Sequence, residues 1–342
     1  MKNTLLLAAV ACFIASCSST AQAPQQKDYA KADVEKYMKI ITQADLKKHL
    51  YIVAGDEMQG RNTGEEGQKK AGKYLIEQYK KDGISYPKGA TTFYQPVPSA
   101  FMTRAFSPKL SDSENIWAYI EGTEKPDEIL VISAHYDHVG MKNGEVYNGA
   151  DDDGSGTVAL LEIAQAFMQA KKDGYGPKRS ILFLHVTGEE HGLHGSRYYS
   201  ENPLFPISNT IADLNIDMIG RRDDAHKDNG NYVYVIGSDR LSTDLHNINE
   251  DANKKYTKLD LDYTFNDVND PNQFYYRSDH YNFAKKGIPI IFYFNGVHDD
   301  YHQPGDEPQK IEYDLLAKRT QLAFVTAWEL ANRENRPVVD KK

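Results

Sequence analysis

The stretch ILVISAHYDH, residues 129–138, is an unbroken apolar run that stops on two imidazoles and a carboxylate. A run of this length, without polar alternation, predicts a strand buried on both faces, as in a parallel sheet covered by helices. The form recurs. SILFLHVT (180–187) runs into Glu189 and Glu190, TIADLNI (210–216) into Asp217, and IPIIFYF (288–294) into a loop holding Asp299, Asp300, Tyr301 and His302. NIWAYI (115–120) and NYVYVIG (231–237) read as further strands.

Helical patterns alternate with these strands. GSGTVALLEIAQAFMQA (154–170), LHGSRYYS (193–200), LSTDLHNINEDANKK (241–255), SDHYNFAKKG (278–287) and YDLLAKRTQLAFVTAWELANR (313–333) have helical composition or spacing. NTGEEGQKKAGKYLIEQYKKDG (62–83) places acids early, lysines late and Gly83 last, the order a helix favours. Thr42 and Asp45 are spaced to cap another helix. The alternation predicts an α/β fold, a three-layer sandwich whose mixed, mainly parallel central sheet is flanked by helices. Residues 87–114 carry four prolines and no clean period, and read as an irregular covering segment.

The chain has 342 residues, 26% of them charged, and a formal net charge of −9. With no basic block, a nucleic-acid partner is disfavoured. Residues 1–16 read as a signal peptide: one lysine, then an apolar run too short to span a bilayer comfortably. IASC (14–17) resembles a bacterial lipobox, which makes Cys17 the lipidated first mature residue. Cleavage after Ala23 is the competing reading, disfavoured by Pro24. The expected product is an exported lipoprotein, anchored through Cys17 and facing the periplasm or cell surface, with oligomeric state open. Residues 17–32 form a polar tether and 33–342 a single domain without an inserted second one. Cys12 and Cys17 are the only cysteines, so the mature chain has no internal disulfide.

In open α/β sheets, ligands bind beyond the carboxyl ends of the strands. Four strands here deliver imidazoles or carboxylates to such ends. The loop NGADDDGSG (148–156), with three consecutive aspartates, leads into a helix beside them. Histidine with carboxylates and no cysteine suits zinc or a similar divalent ion, and a dication relieves the repulsion among the acids. Two ions sharing a carboxylate accommodate so many donors better than one. The chain has no G-x-S-x-G elbow, HExxH helix, P-loop or G-x-G-x-x-G fingerprint.

The pieces SAHYDH, GADDDGSG, TGEEHGLHGS, NIDMIG, RSDHYNFAKKGIP and DYHQPGD stand in the order found in the M28 zinc aminopeptidases, and the chain resembles that family over roughly residues 50 to 330. The resemblance implies a zinc-dependent exopeptidase-like fold and hydrolysis of N-terminal peptide bonds by a water held between two zinc ions. It makes His135 and Asp217 ligands of one zinc, Glu190 and His302 ligands of the other, and Asp152 the bridging carboxylate. Glu189 becomes the general base, Asp137 the residue that orients His135, and Tyr301 a hydroxyl donor to the oxyanion. Asp151 and Asp153 become supporting or capping residues.

Other residues near these pieces take plainer readings. His138, His191, His194 and His298 are expected as rim or pocket residues, and His185 as a hydrogen-bonded core histidine. Ser278, Asp279 and His280 either shape the pocket or cap their helix. The aromatics of FYYRSDHYNF either line a specificity pocket or belong to the core. Glutaminyl cyclases share the fold and much of the motif order, and a non-catalytic scaffold is a further alternative. Dipeptidase or carboxypeptidase action would need a cationic clamp for a C-terminal carboxylate, for which Arg221, Arg222 and Arg277 are the candidates.

Overall fold

In a computed structural model, the structure describes residues 26–103 and 109–341. The expectations for the signal segment and Cys17 lie outside the described residues. Among these the strands are β1 (Tyr94–Val97), β2 (Ser113–Ile120), β3 (Lys125–His135), β4 (Met141–Lys142), β5 (Glu145–Val146), β6 (Arg179–Val186), β7 (Thr210–Ile216), β8 (Tyr232–Ile236), β9 (Asp260–Asp262) and β10 (Ile290–Phe294). The α-helices are α1 (Val34–Met38), α2 (Gln43–Val53), α3 (Glu66–Asp82), α4 (Ser99–Met102), α5 (Gly156–Lys172), α6 (His194–Glu201), α7 (Thr243–Ala252), α8 (His280–Ala284) and α9 (Tyr313–Asn332).

Eight strands form one sheet in the order β1-β2-β6-β3-β7-β10-β8-β9, and β4-β5 is a separate hairpin. The four central strands β6, β3, β7 and β10 run parallel, while β2 and β8 flank them antiparallel. The sheet is therefore mixed with a parallel centre, flanked by helices, as the alternation of strands and helices predicts.

Side chains alternate across this sheet with a period of two. Leu130 and Ile132 of β3, Phe183 of β6 and Leu214 of β7 join the large core under α2, α3, α5 and α9. Ile129, Val131, Leu182 and Leu184 point the other way, into a smaller core completed by Tyr199 of α6 and Phe283 of α8. Every residue of β6 and β7 is buried, as central strands covered on both faces require.

The expected helix ends are present. Thr42 accepts the Asp45 N–H at 3.1 Å at the start of α2, and Gly83 closes α3 in the left-handed conformation. The segment 87–114 is more regular than expected. It contributes the edge strand β1, antiparallel to β2, and the single turn α4. Pro96 and the shortness of β1 hide it from periodicity, and an edge position tolerates a proline.

Candidate metal centre

His135 ends β3, Asp217 follows β7, Glu189 and Glu190 follow β6, and Tyr301 and His302 lie in the loop after β10. All six belong to the parallel centre of the sheet, at its carboxyl edge. The loop 148–155 reaches the same edge and enters α5. Gly149 makes that path possible. It has φ +53°, and a Cβ there would lie 2.3 Å from the Asp152 carbonyl oxygen and 2.5 Å from the His138 ring.

The three consecutive aspartates do three different things. Asp151 accepts the Gly220 N–H at 2.6 Å and faces His298 Nε2 at 3.1 Å. Asp153 accepts the N–H groups of His135, Gly156 and Met218 at 3.2, 2.9 and 3.1 Å, locking the ends of β3 and β7 to the start of α5. Asp152 faces inward. Its Oδ1 lies 3.2 Å from His135 Nε2, and its Oδ2 lies 3.0 Å from His302 Nε2.

Around Asp152 the polar side chains fall into two groups. On one side His135 Nε2 is also 3.5 Å from Asp217 Oδ1. On the other, His302 Nε2 is 2.9 Å from Glu190 Oε2. Four tetrahedral ligands at zinc bond lengths of about 2.0–2.1 Å stand roughly 3.3 Å apart, the spacing found here. Asp153 is also near His135 and Asp217, with one donor atom of each within 4.8 Å of the others. Its oxygens are already engaged by three backbone N–H groups, so Asp152 is the better ligand. The donor set carries the mark of an expected cation. His138 Nδ1 and Nε2, Asp152 Oδ2 and Glu190 Oε1 are all buried without a hydrogen bond of normal geometry, a costly condition unless a charged partner binds. These residues fit bound zinc.

The His135 ring is oriented from its far side. Its Nδ1 lies 3.0 Å from the Asp137 carbonyl oxygen, which can only accept, so Nδ1 carries the proton and Nε2 offers its lone pair to the cluster. The Asp137 carboxylate is 3.9 Å from Nδ1. It accepts instead the Thr63 hydroxyl at 2.6 Å and the Glu189 N–H at 3.2 Å. Asp137 therefore orients the ring through its main chain, while its side chain ties Glu189 to β3.

The adjacent glutamates are pushed in opposite directions. Burial raises the Glu189 carboxyl well above the usual range, reinforced by Glu190, Asp279 and Asp217. Burial and Asp152 oppose ionisation of Glu190, but His138 and His302 outweigh them and hold it below the usual range. Glu189 makes no side-chain hydrogen bond among the described residues and lines two cavities. Tyr301 lines both cavities too, stacked on His302 with ring centroids 3.9 Å apart. Burial, then Asp152 and Glu190, raise its hydroxyl far above the ordinary value, so it stays protonated.

Several residues belong to this site to which the sequence assigns no metal-centre role. His138, expected as a rim or pocket residue, is fully buried, with Nδ1 2.7 Å from Glu190 Oε1 and 3.7 Å from Asp152 Oδ2. The turn after β3 folds it inward beneath Gly149. Asp306 of the QPGD segment accepts the N–H groups of Asp151 and Asp152, each at 3.0 Å. Arg61, wholly buried, donates to the carbonyls of Val53, Tyr136, Asn148 and Gly149, clamping the aspartate loop to β3. Among the residues read two ways, the Ser278 hydroxyl donates to Asp217 at 2.6 Å, and Asp279 precedes α8 without capping it. His280 stacks on Phe292 and His185 meets the Tyr79 hydroxyl at 2.7 Å, both within the interior. Phe274 of the aromatic stretch lines a cavity with Met218, Phe292, Phe294 and Val297, whereas Phe283 belongs to the core. His191 lies 3.1 Å from Asn62 Oδ1, and His194 is buried at the start of α6.

An α/β sandwich with paired imidazole and carboxylate groups at the carboxyl edge of its parallel strands defines a class of metal-dependent hydrolase folds. The sequence profile of peptidase family M28 matches residues 115–327. The chain belongs to peptidase family M28. It is 33% identical over 226 residues to a probable leucine aminopeptidase of Trichophyton verrucosum, covering 64% of this chain and 57% of that relative. The chain thus spans just over half the length of the curated relative it matches. Among solved structures it resembles the Legionella pneumophila LapA aminopeptidase, with a TM-score of 0.67 at 22% identity, covering 92% of this chain and 78% of that one. It also resembles the glutaminyl cyclase of Porphyromonas gingivalis, with a TM-score of 0.63 at 19% identity, covering 84% and 97%. At these identities the likeness establishes the fold.

Proposed function

We propose that this chain is a zinc-dependent aminopeptidase holding two zinc ions, with His135 and Asp217 on one, Glu190 and His302 on the other and Asp152 shared. The position of Asp152, with one oxygen toward each group of ligands, carries this reading. Zinc ions bound there supply Lewis acidity and lower the pKa of water. Glu189 accepts the proton of the attacking water and returns it to the leaving amine, a role its raised affinity for protons and lack of a hydrogen-bond partner support. The Tyr301 hydroxyl, held protonated, donates to the oxygen on which charge develops. Ser278 and the Asp137 main chain keep Asp217 and His135 in orientation. The cavity lined by Met218, Phe274, Phe292, Phe294 and Val297 accepts an apolar side chain on the N-terminal residue.

A library of aminoacyl fluorophores, assayed with and without chelator, tests the proposal. Release of large apolar N-terminal residues, lost on chelation and recovered with zinc, is expected. Cyclisation of a Gln-peptide without amine release would instead make the chain a glutaminyl cyclase. Purified protein free of bound metal would point to a non-catalytic scaffold. We propose further that the protein is exported and lipid-anchored through Cys17. A mature N-terminus beginning at Pro24 would refute this.

A further inference from the structure

Of the three arginines that could clamp a carboxylate, two are already engaged. Arg221 pairs with Asp300 at 3.0 Å, and Arg222 donates to Glu312 at 2.9 Å. Arg277 is exposed and lies 4.8 Å from the centroid of the Phe274 ring, and among the described residues no carboxylate pairs with it. It stands where the apolar cavity meets a second, larger groove of about 460 Å³. This groove is lined by Glu189, Glu190, Tyr301 and His302 of the candidate centre, and it shares Glu189, Tyr301 and Arg277 with the apolar cavity.

Two more cations line the same groove. Arg197 is half-buried, 4.0 Å from the centroid of the Phe101 ring, donates to the Phe101 carbonyl, and has a buried Nε without a partner. Lys285 lies 4.9 Å from the centroid of the Tyr281 ring. The only acids lining the groove among the described residues are Glu189 and Glu190. In a chain of net charge −9, three cations line one groove against two acids, a local excess of positive charge next to the scissile position.

We propose that this groove binds a carboxylate carried on the leaving side of the scissile bond, with the Arg277 guanidinium as its main donor. The inference rests on the aminopeptidase reading, which places the N-terminal side chain in the apolar cavity and the rest of the peptide in the groove. One residue of chain is about 3.8 Å, so the C-terminal carboxylate of a dipeptide and an acidic side chain just after the scissile bond both reach this region. Arg277 is then a specificity-determining residue that favours short or acidic peptides, through a planar fork matched to a carboxylate.

Four peptides separate these sources: Leu-Ala, Leu-Ala amide, Leu-Glu amide and Leu-Gln amide. In the wild-type protein kcat/KM for Leu-Ala is expected to exceed that for its amide by about two- to fivefold, the effect of one solvent-exposed charge pair. A matching preference for Leu-Glu amide over Leu-Gln amide identifies the side chain as a second source. Arg277→Ala should bring the ratios toward one, mainly through KM, and Arg277→Lys should restore part of them. Wild-type ratios near one in both arms would overturn the proposal. So would Arg277→Ala slowing all four peptides by one common factor, since a merely structural arginine leaves the ratios unchanged. Equilibrium binding of the same peptides to zinc-loaded Glu189→Gln gives the ratio without turnover. If the wild type hydrolyses none of the four, the aminopeptidase reading fails while the binding ratio still decides the fate of the groove.

Discussion

His135 and His185 are buried imidazoles on neighbouring parallel strands, one residue apart in register, and the fold uses them in opposite ways. His185 faces Ala134 of β3, and His135 faces Val186 of β6. His185 points into the large core, where burial pushes its imidazole down to about 3 and the Tyr79 hydroxyl satisfies Nε2. His135 reaches the carboxyl edge. Burial would lower it too, but with no cation bound Asp217, Glu189 and Asp152 prevail and raise its affinity for a proton well above the ordinary value, the charge a metal at Nε2 would replace. Burial alone therefore does not make a functional histidine. The difference lies in the unsatisfied acids around it, which the strand ends supply and the strand middles do not.

The largest expected effect concerns Glu189, the proposed base at this edge. Glu189→Gln keeps the shape of the side chain and removes its ability to take a proton. Turnover should fall by about 10²–10⁴-fold while zinc content stays near that of the wild type. If zinc is lost along with activity, Glu189 is a ligand and the two adjacent glutamates have exchanged roles.

His138 gives an intermediate effect, because it touches Glu190 and Asp152 from beneath. His138→Ala should weaken zinc affinity by about 10–100-fold, the usual cost of removing a group that supports metal ligands. Competition with a chromogenic chelator measures this. An unchanged affinity would return His138 to the passive role the sequence assigns it.

The smallest effect tests the other side of the comparison. With a folded-state value of about 3, His185 stays neutral while the unfolded chain takes up a proton below about 6.5. A depressed value means its stability contribution is fully present above about pH 6.5 and is lost progressively as the pH falls toward 3. Each pH unit costs about 1.4 kcal/mol, so about 2 kcal/mol is lost between pH 6.5 and 5. His185→Gln should reduce the loss of stability between pH 7.5 and 5 by that amount, read from urea unfolding of the chelated protein. His280, pushed to about 3 by burial despite its hydrogen bond to the Tyr275 carbonyl, contributes a parallel loss that the variant retains. Equal pH dependence in the two proteins would mean that His185 takes up its proton as readily in the folded state as in the unfolded chain.

Much of this organisation is legible in the sequence because it is local. Apolar runs ending in His135, Glu189, Glu190 and Asp217 announce both the central strands and the edge where their side chains meet. The rest depends on contacts between distant segments. No spacing rule selects Asp152 from three consecutive aspartates. Its neighbours are occupied by backbone groups as remote as Gly220 and Met218, and only the fold shows that. Arg61 and Asp306 are equally silent in sequence, since their partners lie up to 88 and 155 residues away. Strand β1 escapes notice for another reason: at a sheet edge it needs neither length nor an apolar run.

The shared position of Asp152 is the centre of this account, and zinc counting in two neighbouring variants tests it most directly. Asp151 holds a backbone N–H and faces His298, whereas Asp152 presents one oxygen to each pair of ligands. Atomic absorption should find two zinc ions in the wild type, most of that metal in Asp151→Ala, and almost none in Asp152→Ala. Equal losses in both variants, or one zinc fully retained in Asp152→Ala, would contradict the shared carboxylate.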